Sequence, residues 1–500
     1  MTRYHIKISG QSKEAMADLI RKYKIHIFNH GITYSKENGY SIDAMAVLDD
    51  IQLLEKNGYI VQILENLDES GKASQKEVGK GNRYTQQPQP QQQQSLSSPP
   101  PPPVPPSDSN THSVTLDNAI SYLNVEEVEA ALSVAASAPY TAITKLISLP
   151  EPTWEGRQCN AIKIANGNNS DRPGVYFLGG VHAREWGSSD ILIYFVEQIE
   201  KAYLANSGLT LGAKNFSASD IQTIVNTLDI IVFPQANPDG RNYSMTSDDP
   251  MWRKNRRILS PNSSSGDCVG VDINRNYDFV WDFPTLFHPN AAVHTSSSPS
   301  DRDVYHGPNA FSEPESRNAK WVFDKFSNIE FFIDLHSAGQ EILYSWGDDD
   351  DQTGDPSMNF QNASYNGQRG ITDTLGDISA PEYKEYIPAS DLDLAIKLGN
   401  TIHDGIQAVR GTTYDVKSSD DLYPTSGAAD DYAYSRHFVD NIKGKIILYT
   451  LEWGSEFYPP YTEMKNIIHE ITAGLISFCL WICNNPDRIS FISESRNNVF

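Results

Sequence analysis

Hydrophobic and polar positions alternate in two patterned regions of the chain, separated by a long polar stretch. In the first region, residues 1–66, apolar positions recur with strand and helix periods in the order strand, helix, strand, strand, helix, strand. The predicted strands are 4–8, 24–28, 39–47 and 59–64, and the predicted helices are 14–23 and 48–57. This order predicts a small ferredoxin-like α/β domain.

The polar stretch over residues 67–113 contains almost nothing that could form a core. It is rich in glutamine over 86–94 and carries a proline run over 99–103. Such composition favours a disordered or polyproline II-like chain. We therefore expect a linker over 67–113, a second domain over 114–487 and a C-terminal tail over 488–500.

Short apolar runs in the second domain predict the central strands of a buried sheet. They lie at 175–178, 230–234, 331–335 and 446–451, and they are rich in β-branched and aromatic residues. Helical periodicity is found between and beyond them, over 124–135, 191–203 and 467–482. Strands alternating with helices predict an α/β domain.

Metal-ligating side chains follow three of these strands at their C-terminal ends. His182 and Glu185 come after the first run, His336 directly after the third, and Glu452 directly after the fourth. If these strands are parallel neighbours, the four side chains meet in one crevice. Two histidines and a carboxylate suit a catalytic Zn²⁺ with water at its fourth position, which leaves Glu452 as a general base.

Simple strand-capping is the alternative role for these polar residues. The spacing of His182 and Glu185 alone is weak evidence, because two polar residues three apart are common in a chain of 500 residues. Four such groups at three strand ends favour the metal centre over capping.

The amino-acid composition argues against several classes of protein. With 40 Lys and Arg against 64 Asp and Glu, the formal net charge is −24, which argues against a nucleic-acid partner. Four cysteines are too few for a disulfide scaffold. We expect no membrane partner, because no apolar run in the sequence approaches the length of a span. The N-terminus lacks the apolar centre of a secretory signal, so a cytoplasmic location is expected unless another export route is used.

Ordered motifs between about residues 115 and 484 resemble the zinc carboxypeptidase family, the group of carboxypeptidases A and B and their microbial relatives. The matching segments are G-V-H-A-R-E-W at 180–186, N-P-D-G at 237–240, W-R-K at 252–254, D-I-N-R-N at 272–276, H-S at 336–337, the tyrosine-loop sequence at 422–427 and T-L-E at 450–452. Residues 452–464 are more similar to microbial members than to pancreatic ones. The resemblance implies a mixed, mostly parallel twisted sheet flanked by helices.

The resemblance also implies an activity, the hydrolysis of the C-terminal peptide bond of peptides with one zinc ion per catalytic domain. In that reaction Glu452 would take a proton from water and pass it to the leaving amine, and Arg253 would stabilise the oxyanion. Asn274, Arg275 and Tyr423 would hold the terminal carboxylate of the substrate, for which a guanidinium is well suited.

Further residues acquire expected roles from the same resemblance. Asp272 would accept the second N–H of His182, and Arg184 would contact substrate at an outer subsite. Asp430 falls where basic-specific members carry an aspartate at the pocket floor. It predicts a preference for C-terminal Lys or Arg, alone or mixed with apolar residues, unless Asp430 points away from the pocket.

The N-terminal unit is similar in outline to the inhibitory prodomains of procarboxypeptidases. The resemblance implies that residues 1–66 cover the crevice and inhibit the enzyme. The alternative is a tethered domain that aids folding or binds another partner.

An acidic insertion beginning at Asp348, with four consecutive aspartates, departs from the pancreatic pattern. We expect a solvated loop there, with Ca²⁺ binding as the alternative. Two other functions compete with peptidase activity: a related zinc amidase or peptidase that cleaves a cell-wall peptide or a glutamate branch, and a non-enzymatic binding protein. The binding protein is disfavoured because every metal ligand and the base are retained.

Overall fold

The structure is a computed structural model that describes residues 2–12, 15–16, 19, 22–23, 25–27, 33–35, 39–85, 116–167, 172–258, 270–372, 383–421 and 423–486. Half of the helix predicted over 14–23, most of the predicted linker and the predicted tail lie outside these ranges.

An antiparallel five-stranded sheet forms the N-terminal domain. Its strands are β1 (Arg3–Gly10), β2 (His26–Ile27), β3 (Thr33–Ser35), β4 (Gly39–Val47) and β5 (Ile60–Asn66). Strand β1 lies between β4 and β5, which is the strand order of a ferredoxin-like domain. Helix α1 (Leu48–Lys56) buries Ile51 and Leu54 against this sheet.

The segment after β5 is helical over residues 67–77 and ordered up to residue 85, so the predicted disordered linker is wrong over residues 67–85. Helix α2 (Leu67–Ser74) begins at Asn66, whose side chain accepts a hydrogen bond from Glu69 N at 3.3 Å. A 3₁₀ turn, Gln75–Glu77, follows at once. The composition of this stretch is polar because most of its side chains face water, yet the backbone is ordered by contacts with the second domain.

These contacts tie residues 74–84 to the second domain along most of their length. The backbone of Tyr122 exchanges two hydrogen bonds with it, to Glu77 O and from Gly79 N, each at 2.8 Å. The side-chain contacts are Ser74 Oγ to Tyr458 O, Gln75 Nε2 to Ser244 O and Ser247 O, Arg83 Nε to Glu127 Oε1, and Tyr84 OH to Glu197 Oε1. We call residues 74–84 the strap.

The second domain is built on an eight-stranded mixed sheet, as expected for its fold class. The strands in spatial order are β16 (Asp415–Ser418), β13 (Glu341–Tyr344), β17 (Ile447–Glu452), β12 (Ile329–His336), β8 (Gly174–Gly179), β11 (Asp229–Phe233), β7 (Asn160–Ile164) and β6 (Thr144–Ser148). The four central strands, β17, β12, β8 and β11, are parallel. Hairpins β9 (Leu209–Leu211) with β10 (Lys214–Phe216), and the pair β14 (Asp351–Gln352) with β15 (Glu385–Tyr386), lie outside this sheet.

Helices cover the sheet and explain why its central strands are continuously apolar. All residues of β8 and β11 are buried, as expected for parallel strands packed on both faces. The helices are α3 (Val125–Ala135), α4 (Gly187–Ala205), α5 (Ala218–Thr227), α6 (Pro238–Thr246), α7 (Phe283–Leu286), α8 (Pro314–Lys325), α9 (Ala389–Arg410), α10 (Ala429–Val439) and α11 (Tyr461–Asn484).

Helix α11 is the one helix within the described ranges that is long and apolar enough to cross a membrane. The expectation that no segment reaches such a length is therefore wrong for α11. Its most apolar window has a mean hydropathy of 1.5, and 67% of that window is buried inside the protein. Leu475, Ile476 and Phe478 are completely buried, so the apolar composition of α11 serves the packing of a core helix.

The expectation of a solvated loop is wrong for the first two aspartates of the insertion, because Asp348 and Asp349 are completely buried. Asp349 Oδ2 accepts a hydrogen bond from Gly370 N at 2.7 Å, and the carboxylate of Asp348 lies 3.8 Å from Arg369 Nε. Burial raises the pKa of Asp348 to about 6, although Arg369 opposes the shift. These carboxylates fold the insertion against the domain instead of facing solvent.

Candidate active site

The register of the central sheet places the predicted metal ligands together at the C-terminal ends of its parallel strands. His336 ends β12 directly opposite Glu452 at the end of β17, and β8 lies on the other side of β12. The chain leaves β8 through Gly180, whose φ is +67°. A Cβ at this position would lie only 3.1 Å from Pro234 O, so both the backbone conformation and the space favour glycine. This turn places His182 at the same end of the sheet as His336 and Glu452. The prediction that the three strands β8, β12 and β17 are parallel neighbours is confirmed.

His182, Glu185 and His336 bring three ligand atoms together. His182 Nδ1 lies 2.8 Å from Glu185 Oε1 and 2.9 Å from His336 Nδ1, and His336 Nδ1 lies 3.1 Å from Glu185 Oε2. All three residues are buried. Within the described ranges, they form the one cluster of three or more potential metal ligands.

The chemistry of this donor set fits a zinc ion. The two Nδ1 atoms face each other, and the other nitrogen of each ring lies beside a carboxylate: His182 Nε2 is 3.2 Å from Asp272 Oδ1, and His336 Nε2 is 3.0 Å from Asp334 Oδ2. Each ring can keep its hydrogen on Nε2 and present a lone pair on Nδ1 to a metal. Two imidazole nitrogens and a carboxylate, with room for water, are the ligands of catalytic zinc sites.

Strong electrostatic coupling surrounds these ligands. Burial alone would raise the pKa of Glu185, but His182 and His336 beside it hold that pKa below its usual range. Burial likewise opposes ionisation of Asp272, yet Arg253 and His182 keep its pKa well below the usual value. These two carboxylates are therefore ionised in the folded protein.

Glu452 differs from the other carboxylates of the site. Burial raises its pKa to about 8, and His336 opposes this shift only in part. A group that both holds and releases a proton near neutral pH has the property required of a general acid and base.

A pocket next to the ligands gathers the residues expected to contact substrate. Arg253, Asn274, Arg275, Tyr423 and Asp430 line it together with His182, Glu185, Ser337, Ala338, Leu343, Ser419, Thr425, Ala428, Thr450, Glu452, Phe457 and Ile27. Arg253 Nε donates to Asp272 Oδ2 at 3.1 Å, and its Nη1 lies 4.0 Å from Glu185 Oε1. Thus Arg253 is held beside the metal ligands by the same aspartate that contacts His182.

Asn274 and Arg275 belong to a 3₁₀ turn, Ile273–Arg275, that is fixed by its neighbours. Asn274 Oδ1 accepts from Ala429 N at 2.8 Å, and Arg275 donates from Nε to His294 O at 2.7 Å. The ring of Tyr423 lies 4.3 Å from the ring of His294. The three residues expected to bind the substrate carboxylate therefore all line the same pocket.

Asp430, at the start of α10, faces the pocket, whereas Asp431 faces the insertion. Asp430 Oδ2 accepts from Thr450 Oγ1 at 2.9 Å and from Ser419 Oγ at 3.3 Å. Asp431 accepts from Gly347 N at 3.1 Å. The alternative in which Asp430 points away does not match this geometry.

Arg184 is the one predicted substrate-binding residue that does not line this pocket. It is completely buried; its guanidinium lies 4.4 Å from the ring centroid of Phe457, and Nη1 contacts Asp303 Oδ1 at 3.4 Å. Its contact with substrate stays a prediction, and the structure shows it supporting Phe457 from behind.

Sequence reasoning missed two residues of the site. Asp334 lies two positions before His336 in β12, and strand periodicity could have placed both on one face. Ile27, from the N-terminal domain, also lines the pocket. The resemblance implied that this domain covers the crevice, but no pattern in the sequence identified Ile27 as the residue that enters it.

A family model described as zinc carboxypeptidase matches residues 131–474, which is more than half of the chain. The chain belongs to the zinc carboxypeptidase family. It is therefore a metallocarboxypeptidase, a hydrolase for which the family implies a Zn²⁺ cofactor.

Curated relatives and solved structures agree with this assignment. The chain is 30% identical to carboxypeptidase B of Astacus astacus over 316 residues, 63% of this chain and 82% of that protein. It is 34% identical to carboxypeptidase A2 of Rattus norvegicus over 195 residues, which cover 39% of this chain and 40% of that protein. Two solved structures share the fold over 97% of this chain: carboxypeptidase A from Helicoverpa armigera, with 98% of it covered, TM-score 0.66 and 19% identity, and thrombin activatable fibrinolysis inhibitor, with 100% covered, TM-score 0.63 and 17% identity.

Proposed function

We propose that this metallocarboxypeptidase removes Lys or Arg, alone or together with apolar residues, from the C-termini of peptides. The observation that carries the preference is the carboxylate of Asp430 in the pocket, fixed there by Thr450 and Ser419. A buried carboxylate attracts an ammonium or guanidinium group and repels an acidic side chain.

Zinc would be held by His182, Glu185 and His336. When bound, it supplies a Lewis acid that polarises a carbonyl and lowers the pKa of water. Asp272 orients the His182 ring from its far side, so that the Nδ1 lone pair points to the metal position.

The remaining steps belong to side chains of this chain. Arg275 and Asn274, with Tyr423, grip the terminal carboxylate of the peptide, which restricts cleavage to the last residue. Glu452 takes a proton from the attacking water and delivers it to the leaving nitrogen. Arg253 stabilises the negative charge that develops on the carbonyl oxygen.

The test is an assay of the chain that begins at residue 67, which retains the strap. Blocked dipeptides ending in Arg, Lys, Phe, Leu or Glu are supplied with a chelator, and again after zinc is restored. Release of Arg and Lys that requires zinc supports the proposal. Release of Phe and Leu alone keeps the peptidase and refutes the role of Asp430. Zinc-loaded protein that releases none of them favours a specialised amide substrate.

We further propose that the N-terminal domain inhibits the enzyme in the intact chain. Ile27 lies in the same pocket as Arg253 and Tyr423, where a substrate side chain would enter. The domain is anchored by Arg3, which lies 2.5 Å from Asp249 of the catalytic domain and also contacts Asp68. Excess isolated N-terminal domain should therefore lower the activity of the chain that begins at residue 67, and failure to do so would refute inhibition.

A further inference from the structure

We propose that Asp334 is a positioning residue for the metal centre: it orients the His336 ring through Nε2 and supplies the negative charge that retains zinc. This inference rests on the proposed function, because it requires His336 to be a zinc ligand. Asp272 was expected from the resemblance to serve His182, whereas nothing had assigned a partner to His336.

Strand geometry sets the pair. Asp334 and His336 are two residues apart in β12, so their side chains project from the same face of the sheet. Asp334 is completely buried and His336 is 1% exposed. Asp334 Oδ2 lies 3.0 Å from His336 Nε2, on the side of the ring opposite to the Nδ1 atom that faces Glu185.

The two aspartates behind the histidines are balanced differently. Asp272 is shared by His182 and by the guanidinium of Arg253, which neutralises it. For Asp334, His336 is the one ion-pair partner among the described residues. An ionised carboxylate buried without a compensating cation is strongly unfavourable. The compensating charge would come from the divalent ion that His336 would bind through Nδ1.

Asp334 contributes one of the negative charges that would balance a zinc ion at this site. Arg253 balances Asp272, so the formal charges left to balance Zn²⁺ among the metal ligands and their partners are those of Glu185 and Asp334. Neutralising Asp334 leaves one of the two positive charges unmatched in a buried site. It also makes His336 a weaker donor, because a carboxylate partner raises the basicity of a metal-bound imidazole.

The effect should be a loss of metal affinity rather than of fold. Removing such a partner lowers affinity for the metal by roughly 10–100-fold. The zinc-free protein should tolerate the change, because Asn has the same shape as Asp and places a neutral amide at the same position next to His336 Nε2. A purely structural role would instead lower the stability of the zinc-free and zinc-loaded proteins alike.

The experiment measures zinc dissociation constants of the full chain by competition with a chromogenic chelator, together with thermal unfolding with and without zinc. The variants are Asp334→Asn and, as a second form without the charge, Asp334→Ser. The matched control is Asp229→Asn, since Asp229 is a buried aspartate of the same sheet that pairs with Lys163 at 2.6 Å, away from the metal. His336→Ala serves as the reference for loss of a ligand.

The inference predicts that both Asp334 variants bind zinc 10–100-fold more weakly, while Asp229→Asn keeps the affinity of the parent protein. Wild-type affinity in both Asp334 variants, or an equal loss in Asp229→Asn, would overturn it. If His336→Ala itself retains zinc with unchanged affinity, then the ligand set of the proposed function is at fault. Loss of zinc in His336→Ala with none in the Asp334 variants refutes this inference alone.

Discussion

Glu452 and His336 are directly paired residues at the C-terminal ends of the adjacent parallel strands β17 and β12. Trp453 N donates to His336 O at 2.7 Å and closes this end of the ladder. A proton-transferring carboxylate is thus fixed beside a metal ligand by backbone pairing, not by a loop. Sites built on such rigid elements hold their geometry closely, which catalysis requires.

Glu452→Gln should abolish most activity and leave zinc in place. The amide is similar in size but cannot take a proton, and general acid–base catalysis contributes roughly 10²–10⁴-fold to rate. We expect kcat to fall by that factor while KM and zinc content stay close to those of the parent chain. Glu456→Gln is the matched control, because Glu456 does not line the catalytic pocket. Equal activity of the two variants would remove Glu452 from the reaction.

Asp430→Asn should change selectivity more than overall activity. Loss of the pocket carboxylate should lower kcat/KM for peptides ending in Arg or Lys by about 10–100-fold, since a charge-assisted hydrogen bond contributes roughly 1.5–3 kcal/mol. Peptides ending in Leu should be cleaved as well as before. Asp431→Asn is the comparison, because Asp431 holds Gly347 and should affect stability without changing the Arg-to-Leu ratio. An unchanged ratio in Asp430→Asn would contradict the proposed pocket floor.

The sequence predicted those residues of the site that lie at the C-terminal ends of strands. His336 and Glu452 stand at the ends of apolar runs, so their convergence follows from parallel pairing alone. It did not predict Ile27 in the pocket, because a contact between domains leaves no periodic signal in either one.

The strap and the insertion were misjudged for a related reason. A polar, Lys-bearing stretch before the glutamine-rich tract is typical of linkers, but Arg83 pairs with the buried Glu127 and Tyr84 donates a hydrogen bond to the half-buried Glu197. Likewise, consecutive aspartates are typical of solvated loops, whereas Asp349 is buried against Gly370 N. The composition of a segment indicates how unfavourable its burial would be, but it does not show which partner residues compensate that unfavourable free energy.

Removing zinc should destabilise the folded protein reversibly. A ligand that binds only the native state stabilises it by RT ln(1 + [L]/Kd), about 4 kcal/mol at a concentration a thousandfold above Kd. Chelation should therefore lower Tm, and stoichiometric zinc should restore it. His182→Ala should have a lower Tm that neither chelator nor zinc changes. A chelator-dependent Tm in that variant would place the metal elsewhere.

Arg3→Ala should raise the basal activity of the full chain. Arg3 joins the N-terminal domain to Asp249, and its loss should loosen the domain that carries Ile27 into the pocket. We expect an increase of a few-fold, roughly the effect of 1 kcal/mol on an equilibrium, towards the activity of the chain that begins at residue 67 and lacks the domain. Lys7→Ala is the control, because Lys7 pairs with Asp43 of its own domain. Equal activity of Arg3→Ala and the parent chain would argue against this anchor.

The stability of the catalytic domain should fall as pH rises through the range set by Glu200. This residue of α4 is 1% exposed, accepts a hydrogen bond from Thr144 Oγ1 at 2.5 Å, and has its pKa raised by burial from 4.5 to about 8. The folded state therefore holds a proton that the unfolded state releases above pH 4.5. The stabilisation is complete below the unfolded pKa, declines with rising pH and is lost once pH passes about 8.

Glu200→Gln isolates this contribution, because its amide cannot ionise and can still accept the bond from Thr144. Between pH 5 and pH 9, the free energy of unfolding measured with urea should decrease less with pH for the variant than for the parent. The difference should be roughly 1.4 kcal/mol for each unit by which the folded and unfolded pKa values of Glu200 differ. The variant should match the parent near pH 5 and exceed it in stability near pH 9. Parallel profiles for the two proteins would mean that Glu200 is ionised in both states, and that water reaches its carboxylate in the folded domain.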